Sequence, residues 1–181
     1  MENNRLKKDN ETRILNYFNT TYEKVVGDSL EIIKSDERPD FICKRKDGTL
    51  VGVELVQVRR SHPNDVIYDQ CINKNLTMHP TQTLDIIPYI IYNKAEKIKS
   101  KDWSLPEKTI LIIHLSESPL WEINEAILTD ESLPDLEAYG FIEIWMADFS
   151  EIDAYNNIEL LCLFPTTIRG YYERPLQKPY G

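Results

Sequence analysis

Two acidic residues in the first third of the chain have the character of a catalytic or metal-binding pair. They are Asp40 and Glu54, fourteen positions apart. Glu54 lies inside the apolar run Leu50–Val58, and a short run of this kind predicts a central strand covered on both faces. An ionised carboxylate is costly in such a place unless it is paired or bound to a cation. Glu54 is therefore the strongest functional candidate.

The sequence around these residues predicts a β-hairpin whose register decides whether they meet. A two-residue turn at Asp47-Gly48 would put Asp40 opposite Leu55. A three-residue loop ending in a left-handed Gly48 would instead put Asp40 opposite Glu54, with roughly 4.5–5.5 Å between their Cβ atoms. We favour the second register, because two facing carboxylates can share a divalent cation or a proton.

A lysine is the third candidate. The pattern predicts a helix over Ile87–Lys101, with Pro88 in its first turn. Its apolar positions share one stripe: Ile87, Ile90, Ile91 and Ile98. Lys94 falls on the same stripe, four residues before Ile98. Either its aliphatic stem snorkels past the edge of the sheet, or its ammonium reaches the carboxylate pair.

The remaining elements form a frame around these candidates. A first helix is predicted over Asn10–Val26, with Glu11 beside its apolar stripe, where it either joins the site or simply favours the helix dipole in the first turn. Gly27 is expected to end this helix. Further strands are predicted over Leu30–Lys34, Thr109–Leu115, Phe141–Ala147 and Ile158–Phe164, helices over Ser118–Leu128 and Leu133–Tyr139, and an irregular tail from Thr166.

Composition limits the class of protein. The 181 residues, 41% hydrophobic and 28% charged, predict one globular domain over 1–181. The absence of a long apolar run or a hydrophobic N-terminal signal predicts a cytoplasmic protein with no membrane partner. The net charge of −9 argues against a large basic face but leaves room for a local basic groove. Cys43, Cys71 and Cys162 lack metal-like spacing, so we expect buried free thiols.

The residues and their order resemble the PD-(D/E)XK nuclease superfamily, also called restriction-endonuclease-like. Pro39-Asp40 matches the PD element, and Glu54 matches the acidic residue of the third strand. The predicted helix, strand, hairpin, helix and strand resemble the αβββαβ core of that family over about residues 10–115. The resemblance implies an α/β fold with a mixed sheet, in which residues 116–181 add further helices and strands.

The chain departs from the family pattern at one position. The family carries a lysine two residues after the glutamate, whereas this chain has Val56. Gln57 is polar, but its odd separation from Glu54 directs it to the other face, where it could at most support the site. Some members move the lysine to the following helix, which makes Lys94 the candidate here. Glu11 resembles the acidic residue that many members carry on the first helix.

The resemblance implies a nuclease that hydrolyses phosphodiester bonds of DNA or RNA. In that mechanism Asp40, Glu54 and the carbonyl of Leu55 would hold Mg²⁺ or Mn²⁺, and Lys94 would orient a water molecule or stabilise developing charge. Arg59 and Arg60 follow the strand, either as phosphate contacts or as part of a solvated turn. The implied partner is nucleic acid, and a homodimer is compatible with the resemblance.

Two alternatives remain open. The first is an inactive nuclease-fold protein that serves as a binding or interaction module, as Val56 in place of the lysine would allow. The second is an unrelated α/β protein in which Glu54 and Lys94 form a closed buried salt bridge with no cleft beside it.

Overall fold

The computed structural model describes residues 2–58, 80–100, 102–116, 119–129, 135–150, 152 and 156–173. Three α-helices lie in this part of the chain: α1 (Glu2–Val26), α2 (Pro80–Ile98) and α3 (Asn124–Thr129). Seven strands follow the chain as β1 (Glu31–Ser35), β2 (Phe41–Lys44), β3 (Leu50–Val58), β4 (Thr109–Leu115), β5 (Glu143–Asp148), β6 (Glu159–Phe164) and β7 (Gly170–Tyr172). Short 3-10 helices occur at Pro106–Lys108, Leu120–Glu122, Leu136–Tyr139 and Thr166–Ile168.

All seven strands belong to one mixed sheet in the order β1 to β7. The β1–β2–β3 meander is antiparallel, β3, β4 and β5 run parallel, and β5–β6–β7 is again antiparallel. The parallel centre is buried on both faces, which explains the apolar runs 110–113 of β4 and 144–147 of β5. The protein is therefore an α/β protein with a mixed sheet.

The sheet separates two apolar layers. On one face the α1 side chains Leu15, Phe18 and Tyr22 pack against residues of β3 and β4 and against Trp145. On the other face α2 contributes Ile87 and Ile91, and the segment around α3 extends the same cluster. Successive β3 residues alternate between the faces, so that Val53 and Leu55 point toward α1 and Val58 points toward α2.

The central strands match the prediction and the helix starts do not. β3 and β4 have the predicted bounds, and α1 ends at Gly27 as expected, with a left-handed φ of 79°. However, α1 begins at Glu2 rather than Asn10. Its added turns carry no apolar periodicity that a sequence pattern could detect.

Helix α2 also begins earlier than predicted, at Pro80, so Pro88 lies inside the helix rather than in its first turn. A proline at that position removes the hydrogen bond that its N–H would give to the carbonyl four residues earlier. Burial of Ile86, Ile87 and Ile91 on the sheet stabilises the helix across this break. Tertiary packing has overridden local propensity here.

The segment after β4 is more broken than predicted. In place of a helix over Ser118–Leu128, the 3-10 turn Leu120–Glu122 precedes the short α3, and the Asp148 carboxylate accepts a hydrogen bond from the Leu120 N–H at 2.8 Å. Only a 3-10 helix at Leu136–Tyr139 is seen within the second predicted helix. Strand β7 was not predicted, and its three residues are too few for a periodic signal. Ser118, where that helix was predicted to begin, lies outside the described residues.

Within the described residues, no helix is both long and apolar enough to cross a membrane. Cys43 and Cys162 are buried free thiols, as predicted, and burial raises the pKa of each to about 12. Cys71 lies outside the described residues.

Candidate functional site

The β2–β3 hairpin adopts the register that brings the two acidic residues together. Phe41 pairs with Val53, and the next residues outward are Asp40 and Glu54. The loop has the predicted three-residue form, since the Arg45 N–H donates to the Thr49 carbonyl at 2.9 Å. Gly48 has a left-handed φ of 88°, as this loop requires. The prediction that Asp40 faces Glu54 is confirmed.

Strand β3 extends beyond the end of β2, and this difference in length leaves a notch in the sheet. Beyond Val53 the described residues give β3 a strand partner only on the β4 side. The N–H and carbonyl of Val53 point toward β2. Backbone groups of alternate residues point to the same side of a strand, so the N–H and carbonyl of Leu55 point into the notch. The Leu55 N–H donates to Asp40 Oδ2 at 2.8 Å. Asp40, Glu54 and the Leu55 backbone thus meet at one sheet edge.

Both carboxylates are nearly inaccessible to bulk solvent. Asp40 is 8% exposed and Glu54 6% exposed. Burial, followed by the charges of Glu54 and Glu11, raises the pKa of Asp40 to about 6, against the lowering effect of the Leu55 N–H and of Lys94. Glu54 Oε2 is buried with no hydrogen-bond partner among the described residues. An orphaned buried carboxylate oxygen is unusual in a structural ion pair and suits a site that takes a cation.

Lys94 reaches the carboxylate pair, which is one of the two alternatives that its place on the apolar stripe left open. Its Nζ donates to Glu54 Oε1 from α2, across the face of the sheet toward which Glu54 points. The Lys94 side chain is 18% exposed, so it is partly buried rather than solvated. The snorkelling interpretation is therefore wrong.

Glu11 approaches from α1, on the far side of the cleft. It sits in the third turn of the helix, so the interpretation that it favours the dipole in the first turn is wrong. Lys8 Nζ lies 3.1 Å from Glu11 Oε2 and 3.9 Å from Asp40 Oδ1, and it donates to the Asp36 carbonyl at 2.6 Å. Helix α1 thus brings Lys7 and Lys8 to Glu11, with Lys8 also near Asp40. Helix α2 brings Lys94 to Glu54.

A cleft of about 660 Å³ is lined by Glu11, Asp40, Glu54 and Lys94, among other residues. Its walls hold four cations (Lys7, Arg38, Lys94 and Lys97) and four carboxylates (Glu11, Glu37, Asp40 and Glu54). Although the whole chain carries a charge of −9, the cleft is locally balanced. A cation bound at the carboxylates would make it net positive, which favours an anionic ligand.

Gln57 lines the same cleft but belongs to the opposite sheet face from Glu54, as its odd spacing predicted. Its amide nitrogen donates to Ser116 Oγ at 2.9 Å. His114, the neighbour of Gln57 on β4, also lines the cleft. Sequence reasoning passed over His114 and Lys8. His114 could have been detected, because it is a polar residue inside the apolar run of β4. Lys8 gave no such signal, because its position beside Glu11 and Asp40 depends on the fold.

Arg59 and Arg60 lie outside the described residues, so their predicted phosphate contacts stay predictions. Among the residues that the structure does describe, no group of three or more His, Cys, Asp or Glu side chains is arranged to hold a metal ion. The donors that fit Mg²⁺ are two carboxylates and one backbone carbonyl, from Asp40, Glu54 and Leu55. Mg²⁺ is commonly held by one or two carboxylates and completes its shell with water and substrate oxygens, so this set fits.

Comparison of the chain with protein-family models, with curated proteins and with solved structures found no match.

Proposed function

We propose that this protein is a metal-dependent nuclease of the restriction-endonuclease-like type, which hydrolyses phosphodiester bonds of DNA or RNA. The observation that carries the proposal is the meeting of Asp40, Glu54 and Lys94 in one cleft. The order α1, β1, β2, β3, α2, β4 supports it, because it follows the αβββαβ core of that superfamily. The lysine comes from α2 in place of the strand position occupied by Val56.

Each residue has a distinct role in this proposal. Asp40, Glu54 and the Leu55 carbonyl would hold Mg²⁺ or Mn²⁺, which when bound polarises the scissile phosphate and acidifies a water molecule. The Leu55 N–H orients the Asp40 carboxylate by its hydrogen bond to Oδ2. The Lys94 ammonium, a partly buried charge beside Glu54, stabilises the negative charge that develops on the phosphate oxygens. Lys7, Arg38 and Lys97 line the walls and can contact the flanking phosphates.

One observation favours a second candidate, an inactive nuclease-like fold that binds a partner. Lys94 already engages Glu54 in an ion pair, so the ammonium can serve as the permanent counterion of the site. The interpretation as a closed structural salt bridge requires that no cleft lie beside the pair. The cleft of about 660 Å³ lined by both side chains counts against that interpretation.

The test is cleavage of labelled DNA and RNA oligonucleotides by the purified chain with Mg²⁺ or Mn²⁺. We expect cleavage that EDTA abolishes, that Glu54→Ala abolishes, and that Lys94→Met lowers by about 100- to 1,000-fold, the loss expected for one preorganised charge. Lys99→Met is the matched control, because Lys99 lies on the exposed side beyond α2 and pairs with Glu96.

The second candidate makes the opposite prediction for metal binding. Calorimetric titration should show Mn²⁺ bound by the wild type and lost in Glu54→Ala if the nuclease proposal holds. Absence of divalent-cation binding, together with no cleavage of either polymer, would favour the binding module.

A further inference from the structure

A second cavity of about 670 Å³ adjoins the carboxylate cleft. The two cavities share the lining residues Asn10, Ile14, Gln57 and His114. The notch beyond β2 explains why the two cavities are continuous. At the notch, the edge of β3 is uncovered, so the carboxylate cleft on the α2 face opens into the second cavity on the α1 face. Gln57 is three residues beyond Glu54, so its Cα lies about 10 Å further along the strand.

Aromatic rings form one wall of this second cavity. Phe149 lies between Tyr17, at a ring-centroid distance of 6.2 Å, and His114, at 5.9 Å, and both contacts are edge-on. The three rings come from α1, from β4 and from the segment after β5. Because the rings meet edge to face, they form a corner rather than a flat stack, which suits a planar ligand inserted against one ring.

Amide side chains stand around the rings, with their oxygens already engaged. Tyr17 donates its hydroxyl to Asn156 Oδ1 at 2.8 Å, and Arg13 donates to Asn10 Oδ1 at 3.1 Å. These bonds leave the amide nitrogens of Asn10 and Asn156 as donors for a ligand, whereas the amide nitrogen of Gln57 donates to Ser116 Oγ. Arg13 supplies the only cationic side chain of lysine or arginine type among the described lining residues.

We propose that this second cavity binds the base of a nucleotide next to the phosphate held at the carboxylates. This inference rests on the proposed function. A flat heterocycle with acceptor atoms at its edge matches an aromatic corner lined with amide donors, as in single-strand recognition by stacking and edge contacts. A paired base cannot enter such a cavity. The substrate is therefore single-stranded nucleic acid.

The first test compares 2′-deoxyadenosine 5′-monophosphate with 2-deoxyribose 5-phosphate by calorimetric titration of the wild-type chain in Mg²⁺. The two ligands share sugar and phosphate, so their difference reports the base alone. Stacking of one base predicts that the nucleotide binds about 5- to 100-fold more tightly. Equal affinity, or no binding of either ligand at millimolar concentration, would overturn the proposal.

Variants locate the effect. Tyr17→Leu should remove most of the preference for the nucleotide and leave sugar phosphate binding unchanged, whereas Tyr17→Phe should keep the preference because the ring remains. Thr20→Ala, one turn along α1 at an exposed position outside this cavity, is the matched control. Phe149→Leu provides a second test should Tyr17→Leu not fold. A preference that survives both ring deletions would place the base elsewhere.

The strand requirement is tested by fluorescence anisotropy with Ca²⁺ in place of Mg²⁺, using one labelled decanucleotide alone and paired with its complement. We expect at least about 10-fold tighter binding of the single strand, from one or more stacked bases. Equal binding of the duplex would contradict the proposal. Base preference without any cleavage would refute the nuclease activity but not the base cavity, whereas cleavage without base preference would do the reverse.

Discussion

At the scale of single residues, the informative feature is a carboxyl group kept where ionisation is unfavourable. Asp40 is buried beside Glu54 and close to Glu11, and the Leu55 N–H and Lys94 offset that environment in part. A carboxyl group with a raised pKa lowers the stability of the folded state at neutral pH. Such a cost is typical of functional sites, where groups are arranged for a ligand rather than for folding.

This cost can be measured with Asp40→Asn in EDTA. The pKa of Asp40 rises from an ordinary value of 3.8 to about 6, so between these values the folded chain holds a proton that the unfolded chain has lost. Wild-type stability from this group therefore falls as pH increases from about 4 to 6. At pH 8 we expect the free energy of unfolding of Asp40→Asn, measured with urea, to be about 2–3 kcal/mol larger than that of the wild type. Near pH 4 this difference should vanish.

Asp36→Asn is the control for that series. A hydrogen bond from Lys34 lowers the pKa of the half-buried Asp36, so removal of its charge should not stabilise the chain at pH 8. A stability difference for Asp40→Asn that stays constant from pH 4 to 8 would show that the Asp40 carboxyl is not destabilised by its surroundings.

At the scale of elements, the β2–β3 hairpin sets the geometry of the site. Asp40 and Glu54 face each other only because the loop has three residues and its last position is a left-handed glycine. The close contact of Gly52 with Pro39 fixes the residue just before Asp40. A Cβ built on Gly52 would lie 2.6 Å from Pro39 Cγ and 2.9 Å from Thr109 Oγ1.

Gly52→Ala should therefore act on both stability and the site. The proline ring cannot rotate away, so the hairpin must shift, at a cost of about 1–3 kcal/mol for overpacking. We expect weaker Mn²⁺ binding as well, because the shift moves Asp40 relative to Glu54. Chemical unfolding and calorimetric titration measure the two effects.

Gly170→Ala is the matched control, since a Cβ on Gly170 meets nothing within 4 Å and its φ is not left-handed. If Gly52→Ala lowers stability but leaves Mn²⁺ affinity at the wild-type value, then Pro39 does not position Asp40.

At the scale of the whole molecule, the chain separates a buried network that stabilises the fold from the cleft. Glu143 on β5 accepts hydrogen bonds from Tyr22 of α1, at 3.1 Å, from Trp145, at 2.6 Å, and from Arg45 beside the hairpin loop. Burial and the charge of Glu143 raise the pKa of the Tyr22 phenol. Tyr22 is eleven residues, about 16 Å, along α1 from Glu11, so this network lies away from the carboxylates.

Glu143→Gln should lower stability without changing the chemistry. Loss of the Glu143 charge leaves the partly buried Arg45 with Asp28, at 3.6 Å, as its remaining carboxylate partner. We therefore expect a loss of stability below the about 3–5 kcal/mol of a fully uncompensated buried charge. We expect a lower melting temperature by calorimetry, with the cleavage rate unchanged at temperatures where the variant stays folded. The exposed pair member Glu96 gives the control, Glu96→Gln, which should change neither value.

Glu143→Gln and Asp40→Asn should therefore have opposite effects. Asp40→Asn should gain stability and lose activity, whereas Glu143→Gln should lose stability and keep activity. A Glu143→Gln variant that loses cleavage while fully folded would show that the network and the cleft are coupled.

The sequence alone determined the parts that rest on local patterns. The apolar runs specified β3 and β4 to the residue, the glycine in the hairpin loop pointed to the register, and the misplaced polarity of Glu54 and Lys94 marked the site. These signals are local because the apolar residues that a buried strand or helix stripe needs recur in the sequence with a period of two or of 3.6 residues.

Tertiary structure alone decided what depends on distant segments meeting. The polar first turns of α1 carry no pattern, yet they bring Lys8 to Glu11 and Asp40. The notch beyond β2 depends on two strand lengths, and it joins the faces that Gln57 and Glu54 occupy. Whether Lys94 was solvated or paired was open in the sequence, because helix spacing gives the face of a residue and not the group it meets across the sheet.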